Sequence, residues 1–154
     1  MMRLEPVDAA AAAALAELHA AAFDHPWSAA DIASALESPG AFGLAVWLKG
    51  NQMAGFILAR AIAGEGEILT LAVSPTVRRR GIGRALVEAT IGICTETRVE
   101  SLFLEAAQDN LPAIALYSQT GFESAGFRKG YYRREGAPAV DALVMRRTLN
   151  TCAP

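Results

Sequence analysis

Residues 67–105 run from an apolar strand pattern, EILTLAV, through the turn SPTVRRRGIG, into a helix pattern and out to a second apolar strand, SLFLE. Two strands joined through a helix do not pair as a hairpin; they pair in parallel through a right-handed crossover. The largely apolar 64–73 marks a central strand. The remaining segments arrange themselves around this unit. A short strand is expected over 2–7, then a helix capped by Asp8 to about Phe23, with Leu15, Leu18 and Ala22 on one face. Ser28 caps a second helix ending at SPG. AFGLAVWLK and MAGFILARAI form a hairpin about KGNQ. The helix 81–97 carries Ile82, Leu86, Ala89 and Ile93 at helical spacing, and VESLFLEAA is a strand. DNLPAIALYSQTGF reads as a helix capped by Asp109 or Asn110, with Pro112 in its first turn and Gly121 as terminator. SAGFRKGYYRR and VDALVMRR close the sheet around a loop at 134–139. The fold class is α/β: a mixed sheet of about seven strands with helices on both faces, in one domain over 1–148 with a tail over 149–154.

The chain has 154 residues, 53% of them apolar, and a formal net charge of −2. That size suits one packed domain. A net-acidic chain argues against general nucleic-acid or anionic-membrane binding. Cys94 and Cys152 are expected to be free thiols in a reducing compartment. No Cys/His spacing suggests a metal site. The alanine run near the N-terminus is bracketed by Glu5, Asp8 and Glu17, and no run reaches the ~18 apolar residues of a membrane span. A soluble cytoplasmic protein is expected. The oligomeric state is left open, with a monomer the simpler reading.

The arginine cluster is thus local and needs a local reason. A glycine-bearing turn that opens a helix presents unpaired N–H groups and the positive end of the helix dipole. Gly81 and Gly83 lack Cβ atoms, so backbone can approach a bulky anion, and Arg78, Arg79, Arg80 and Arg84 supply mobile charge. Ile82 contributes its amide between the glycines. Together these residues describe a pyrophosphate cradle; the alternative is a solvated arginine turn. No Lys-Ser or Lys-Thr follows, which excludes a Walker loop, and the third glycine of a dinucleotide fingerprint is absent.

Other residues admit two readings each. Glu105 closes an apolar strand with no adjacent cation in sequence, a placement that raises a carboxyl pKa and suits a general base; otherwise it is an exposed strand end. Tyr117 shares a helix face with Ala113 and Ile114 and is a core anchor or an acid. Trp27 either lines a groove or staples the second helix; the staple is favoured. Tyr131 and Tyr132, in the loop between the closing strands, are groove-lining or exposed hairpin aromatics. His19 and His25 read as structural or surface residues.

The motif R-x-x-G-x-G, Arg78 to Gly83, resembles the acyl-CoA signature of the GCN5-related N-acetyltransferase (GNAT) superfamily. The resemblance extends over about 2–148, and most resembles the RimI group of ribosomal-protein N-terminal alanine acetyltransferases. It is carried by FDHPWS at 23–28, EILTLAV at 67–73, Leu104-Glu105, N-x-x-A-I-A-L-Y at 110–117 and G-Y-Y at 130–132. It implies the GNAT fold, acetyl-CoA as co-substrate, no metal, and central parallel strands that splay at their C-terminal ends. The pantetheine arm is then expected along Leu71, Ala72 and Val73, with an amide at Leu71 or Val73 polarising the thioester carbonyl. Asn110 resembles a cofactor-contacting residue, Glu105 the catalytic base, and Tyr117 the acid that protonates the thiolate. A Tyr near pKa ~10 donating to a thiolate near ~8.5 makes a modest demand. The implied acceptor is a protein N-terminus, possibly of a ribosomal protein; a lysine, polyamine or small amine is the alternative, thinly supported by Asp24, Asp31 and Glu135. A catalytically silent acyl-CoA-binding domain is a third reading, which leaves the presence of both Glu105 and Tyr117 without a reason. Three departures from the group's pattern stand out: Ser74 for Asp in the turn, Ala106-Ala107 where an Arg often follows the Glu, and Gly130 for Asn before the tyrosines. The last two bear on acceptor choice.

Overall fold

The computed structural model describes residues 2–134 and 136–149. Glu135 and Cys152 lie outside the described residues. Seven strands form one sheet: β1 (Arg3–Val7), β2 (Ala41–Leu48), β3 (Gln52–Ile62), β4 (Glu65–Val73), β5 (Ser101–Ala107), β6 (Glu123–Arg134) and β7 (Ala137–Thr148), in spatial order β1-β2-β3-β4-β5-β7-β6. The helices are α1 (Ala12–Ala22), α2 (Ala29–Glu37), α3 (Ile82–Glu96) and α4 (Leu111–Gln119). Every strand pair is antiparallel except β4–β5, the pair joined through α3.

The local signals behave as the sequence suggests. Asp8 accepts from the Ala10 N–H at 2.9 Å and caps one turn of 3-10 helix that leads into α1. Ser28 and Asp31 form a reciprocal capping box at α2. Asn110, rather than Asp109, caps α4. Gly121 ends that helix at φ +94°, and the Phe122 N–H returns to the Tyr117 carbonyl at 2.9 Å.

Alternation along the central strands divides two cores. Phe56, Leu58 and Ala72 join Leu15 and Ile32 under α1 and α2. Ile57, Leu102, Leu104 and Ala106 join Leu86, Val87 and Tyr117 under α3 and α4. Leu86 is fully buried, and truncating it to alanine falls in the class that costs about 2–5 kcal/mol. β7 already begins at Ala137, inside the stretch expected as a loop, and Tyr131 and Tyr132 lie on β6, not in a loop.

Candidate active site

The central strands part as they run. β4 pairs with β5 only from Glu65↔Ser101 to Glu67↔Phe103, while β4 stays on β3 to Val73 and β5 stays on β7 to Ala107. The split begins at a bulge: Leu58 faces Thr70 and Ala59 faces Ile68, so Leu69 is the extra residue. A bulge bends and twists its strand, here away from β5.

Hydrogen-bond alternation says which groups open on the gap. The Ser74 N–H donates to the Ala54 carbonyl at 2.8 Å on β3, so the backbone groups of Leu71 and Val73 point the other way, into the gap. Those of Ala72 are turned to β3, and its side chain is buried in the α1–α2 core. On the far side, the Gln108 N–H donates to Asp141 on β7 at 2.9 Å, so the backbone of Glu105 faces the gap.

The arginine turn lies at the gap's upper end. Val77 anchors it in the core; Arg79 at φ +67° and Gly81 at φ +77° then turn the chain into α3. The first helical bond runs from the Ala85 N–H to the Gly81 carbonyl, and no side chain caps the helix. The amides of Ile82, Gly83 and Arg84 therefore lack helical acceptors. A Cβ on Gly81 would meet no heavy atom within 4 Å. Arg78, Arg79 and Arg80 are exposed, and none is in an ion pair among the described residues. Such a cradle, beside an unpaired strand edge, fits a diphosphate continued by an extended amide-bearing arm. Two members play other parts. A Cβ on Gly83 would lie 3.1 Å from Leu116 Cδ2, so this glycine lets α3 approach α4. Arg84 is tied to Glu88 at 2.6 Å, which leaves the mobile charge to Arg78–Arg80. The Ile82 side chain is buried in the core.

Glu105 and Tyr117 approach the gap from opposite faces of the sheet, since Leu104 and Ala106 alternate with Glu105 and point toward α4. Glu105 is not isolated from cations: Arg128 Nη1 donates to its Oε1 at 2.8 Å. Sequence reading missed Arg128, which comes from β6, two strands away. Tyr117 is 7% exposed and packs edge-on against Phe122. Burial, then the neighbouring Tyr132, pushes its phenol well above the ordinary value, so it holds its proton more tightly than expected. The Tyr132 hydroxyl donates to the Glu105 carbonyl at 3.3 Å. Asn110 Oδ1 accepts from the Ala113 N–H at 3.3 Å, its capping role.

His19 is buried, as a structural residue would be, but it has partners the sequence did not reveal. The Trp27 N–H donates to Nδ1 at 3.1 Å, which places the ring proton on Nε2, 3.0 Å from Thr70 Oγ1 at the bulge. Trp27 stacks on His19 and shares the α2 cluster with Ile32, in keeping with the staple. Burial lowers the His19 pKa. The unfolded chain therefore takes up a proton first as pH falls. His19 stabilises the fold fully above pH ~6.5, and this is lost on descent toward its lowered folded value. The unfolding free energy of the wild type relative to His19→Gln is expected to fall from pH 6.5 to 5, by up to about 1.4 kcal/mol per pH unit. Urea denaturation at several pH values checks this; a constant difference overturns it.

A family model described as acetyltransferase (GNAT) family matches residues 12–122, most of the chain and the whole of this gap. The chain belongs to the GNAT acetyltransferases. Its mixed seven-stranded sheet with the central split is the GNAT fold. The N-alpha-acetyltransferase RimI of Mycobacterium tuberculosis is 36% identical over 138 residues, 86% of this chain and 83% of that one. The crystal structure of the ribosomal-protein-S18-alanine N-acetyltransferase from Escherichia coli superposes with a TM-score of 0.92 at 28% identity, covering 99% of this chain and 97% of that one. Arabidopsis thaliana NAA60 in complex with acetyl-CoA has the same fold, with a TM-score of 0.85 at 19% identity, covering 97% and 99%. The RimI-like resemblance therefore holds. Among the described residues no helix is long and apolar enough to cross a membrane, and no group of three or more His, Cys, Asp or Glu could hold a metal ion. Cys94 is free and buried, and burial raises its thiol pKa.

Proposed function

We propose that this GNAT enzyme acetylates the α-amino group at a protein N-terminus, a ribosomal protein being the acceptor its relatives' names suggest, in the cytoplasm. The observation that carries the reading is the split between β4 and β5, with free amides at one end and Glu105 and Tyr117 on its two faces. Acetyl-CoA supplies an activated acyl carbon and a thiolate leaving group.

Arg78, Arg79, Arg80 and the amides of Ile82, Gly83 and Arg84 hold the diphosphate, and Asn110 lies beside the arm. Leu71 and Val73 offer gap-facing backbone groups to the arm, and an N–H from one of them stabilises the developing oxyanion. Glu105 accepts the amine proton as the C–N bond forms and the C–S bond breaks. The sulfur gains a proton from Tyr117 or from water hydrogen-bonded to it. Because the buried phenol is a weak acid, Tyr117 acts mainly by hydrogen bonding to the departing sulfur. The acceptor enters on the Glu105 face, flanked by Thr70, His19 and Trp27 on the β4 side and by Arg128 and Tyr131 on the β5 side.

An α-amine of pKa ~7.7–8.0 is roughly one-third neutral near pH 7.5, a lysine of pKa ~10.4 only about 0.1%. A single base suffices for the first. The test is acetylation of a peptide panel varied at its first three residues, beside N-blocked peptides that carry lysine. Transfer to free N-termini alone is expected; transfer only to the blocked peptides overturns the reading.

A further inference from the structure

β6 reaches Glu105 in two ways. Arg128 Nη1 donates to Oε1 at 2.8 Å, and the Tyr132 hydroxyl donates to the Glu105 carbonyl at 3.3 Å. The Arg128 guanidinium lies over the Tyr131 ring, 4.2 Å from its centroid, and Tyr131 meets Tyr132 edge-on at 5.2 Å. In a regular strand Arg128 and Tyr131 would point to opposite faces. They meet because the β6–β7 register shifts between Arg128 and Tyr132, where Gly130 adopts φ +61° and its N–H is caught by Asp141 Oδ1 at 2.8 Å.

The ion pair is a poor candidate for a fold-stabilising contact. The Arg128 side chain is 54% exposed and that of Glu105 22%, and pairs this open contribute little to stability. Its effect falls instead on the carboxylate. We propose that Arg128 is a positioning residue for acyl transfer: its guanidinium, steadied by Tyr131, fixes Glu105 through Oε1 and leaves the second oxygen to accept the acceptor's proton. This rests on Glu105 being the base.

Among the described residues, the charged and titratable groups around the carboxylate are Arg128, Tyr131 and Tyr132 from β6, Tyr117 from α4 beside Tyr132, and Glu67 of β4, whose charge acts on Arg128 and which is itself paired with Arg60. The cross-strand neighbour on β7 is Val144. Among the described residues Arg128 is the cation in direct contact. The hydrogen bond to Glu105 raises the Arg128 pKa further, so its charge persists at all working pH values. The Arg128 guanidinium repels an ammonium and favours acceptors that arrive largely neutral, which selects an α-amine over a lysine.

The test compares wild type, Arg128→Lys, Arg128→Met and Glu105→Gln by kcat/KM from pH 5 to 9, on one free-N-terminus peptide and one N-blocked lysine peptide. Thermal melting and acetyl-CoA affinity are measured on each protein. In Arg128→Met kcat/KM is expected to fall about tenfold through kcat, with little change in the peptide KM, and the α-amine preference to fall several-fold. Arg128→Lys should restore most of both, and acetyl-CoA affinity should stay within about twofold throughout. A deficit in Glu105→Gln that narrows as pH rises, beside an Arg128→Met enzyme with unchanged kcat and unchanged preference, overturns this proposal alone. So does a lysine variant that behaves like the methionine one. A Glu105→Gln enzyme whose deficit is absent, or the same at every pH, overturns the reading of Glu105 as base, and this proposal with it.

Discussion

Valine at position 81 is expected to raise the Kd for acetyl-CoA by at least about 100-fold in a protein that still folds. Gly81 has φ +77°, and a Cβ there would touch nothing in the protein. The cost to the fold is therefore backbone strain alone, about 1–2 kcal/mol, against a typical total of about 5–15 kcal/mol. Ligand binding faces a larger loss. The new side chain either fills the space onto which the amides of Ile82, Gly83 and Arg84 open, or relaxes to negative φ and swings them away. Hydrogen bonds to a charged group contribute about 1.5–3 kcal/mol each. Losing two of them gives at least the stated factor. Calorimetric titration with acetyl-CoA and a melting curve separate the two effects. Unchanged affinity in a folded Gly81→Val protein means that the diphosphate is not held at this turn. Gly83→Val makes the opposite control, since its Cβ would press on Leu116 Cδ2 at 3.1 Å and destabilise the α3–α4 contact first.

These two glycines also show where reading the sequence succeeds and where it stops. The turn, its helix and the parallel crossover were legible because each is written locally: an apolar strand run, a glycine pair, a 3.6-residue period. What lies opposite Gly83 was not, because Leu116 arrives from another helix. The same divide runs through the site. Glu105 at a strand end and Asn110 at a helix start are local features. The ion pair with Arg128 spans 23 positions and depends on the irregular stretch of β6 around Gly130, which no periodicity announces. His19 looked partnerless because Thr70 is 51 positions away and its second partner is a backbone amide. The splay of β4 from β5 was expected only through family resemblance. Its physical origin, the extra residue Leu69, is invisible in an apolar run that reads as continuous strand.

Glutamine at position 105 is expected to lower kcat/KM by about 10²–10³ near neutral pH, with acetyl-CoA affinity within about twofold of wild type. The substitution is nearly isosteric, and the amide oxygen of Gln still accepts from Arg128, so the β6 contact and the fold survive. Only the capacity to take a proton is removed. That capacity matters most below the acceptor's pKa of ~7.7–8.0, where the amine arrives as ammonium and must lose one proton before attack and another as the C–N bond forms. Above pH ~8.5 the amine is already neutral and solvent base takes the remaining proton, so the deficit should narrow. The backbone of Glu105, which faces the gap and carries the Tyr132 contact, is untouched, and this keeps ligand binding intact. A pH series of kcat/KM alongside acetyl-CoA titration decides the matter. A uniform deficit at every pH, joined to weaker acetyl-CoA binding, would make the carboxylate a structural strut. A deficit that closes with rising pH at constant affinity leaves proton acceptance as its role.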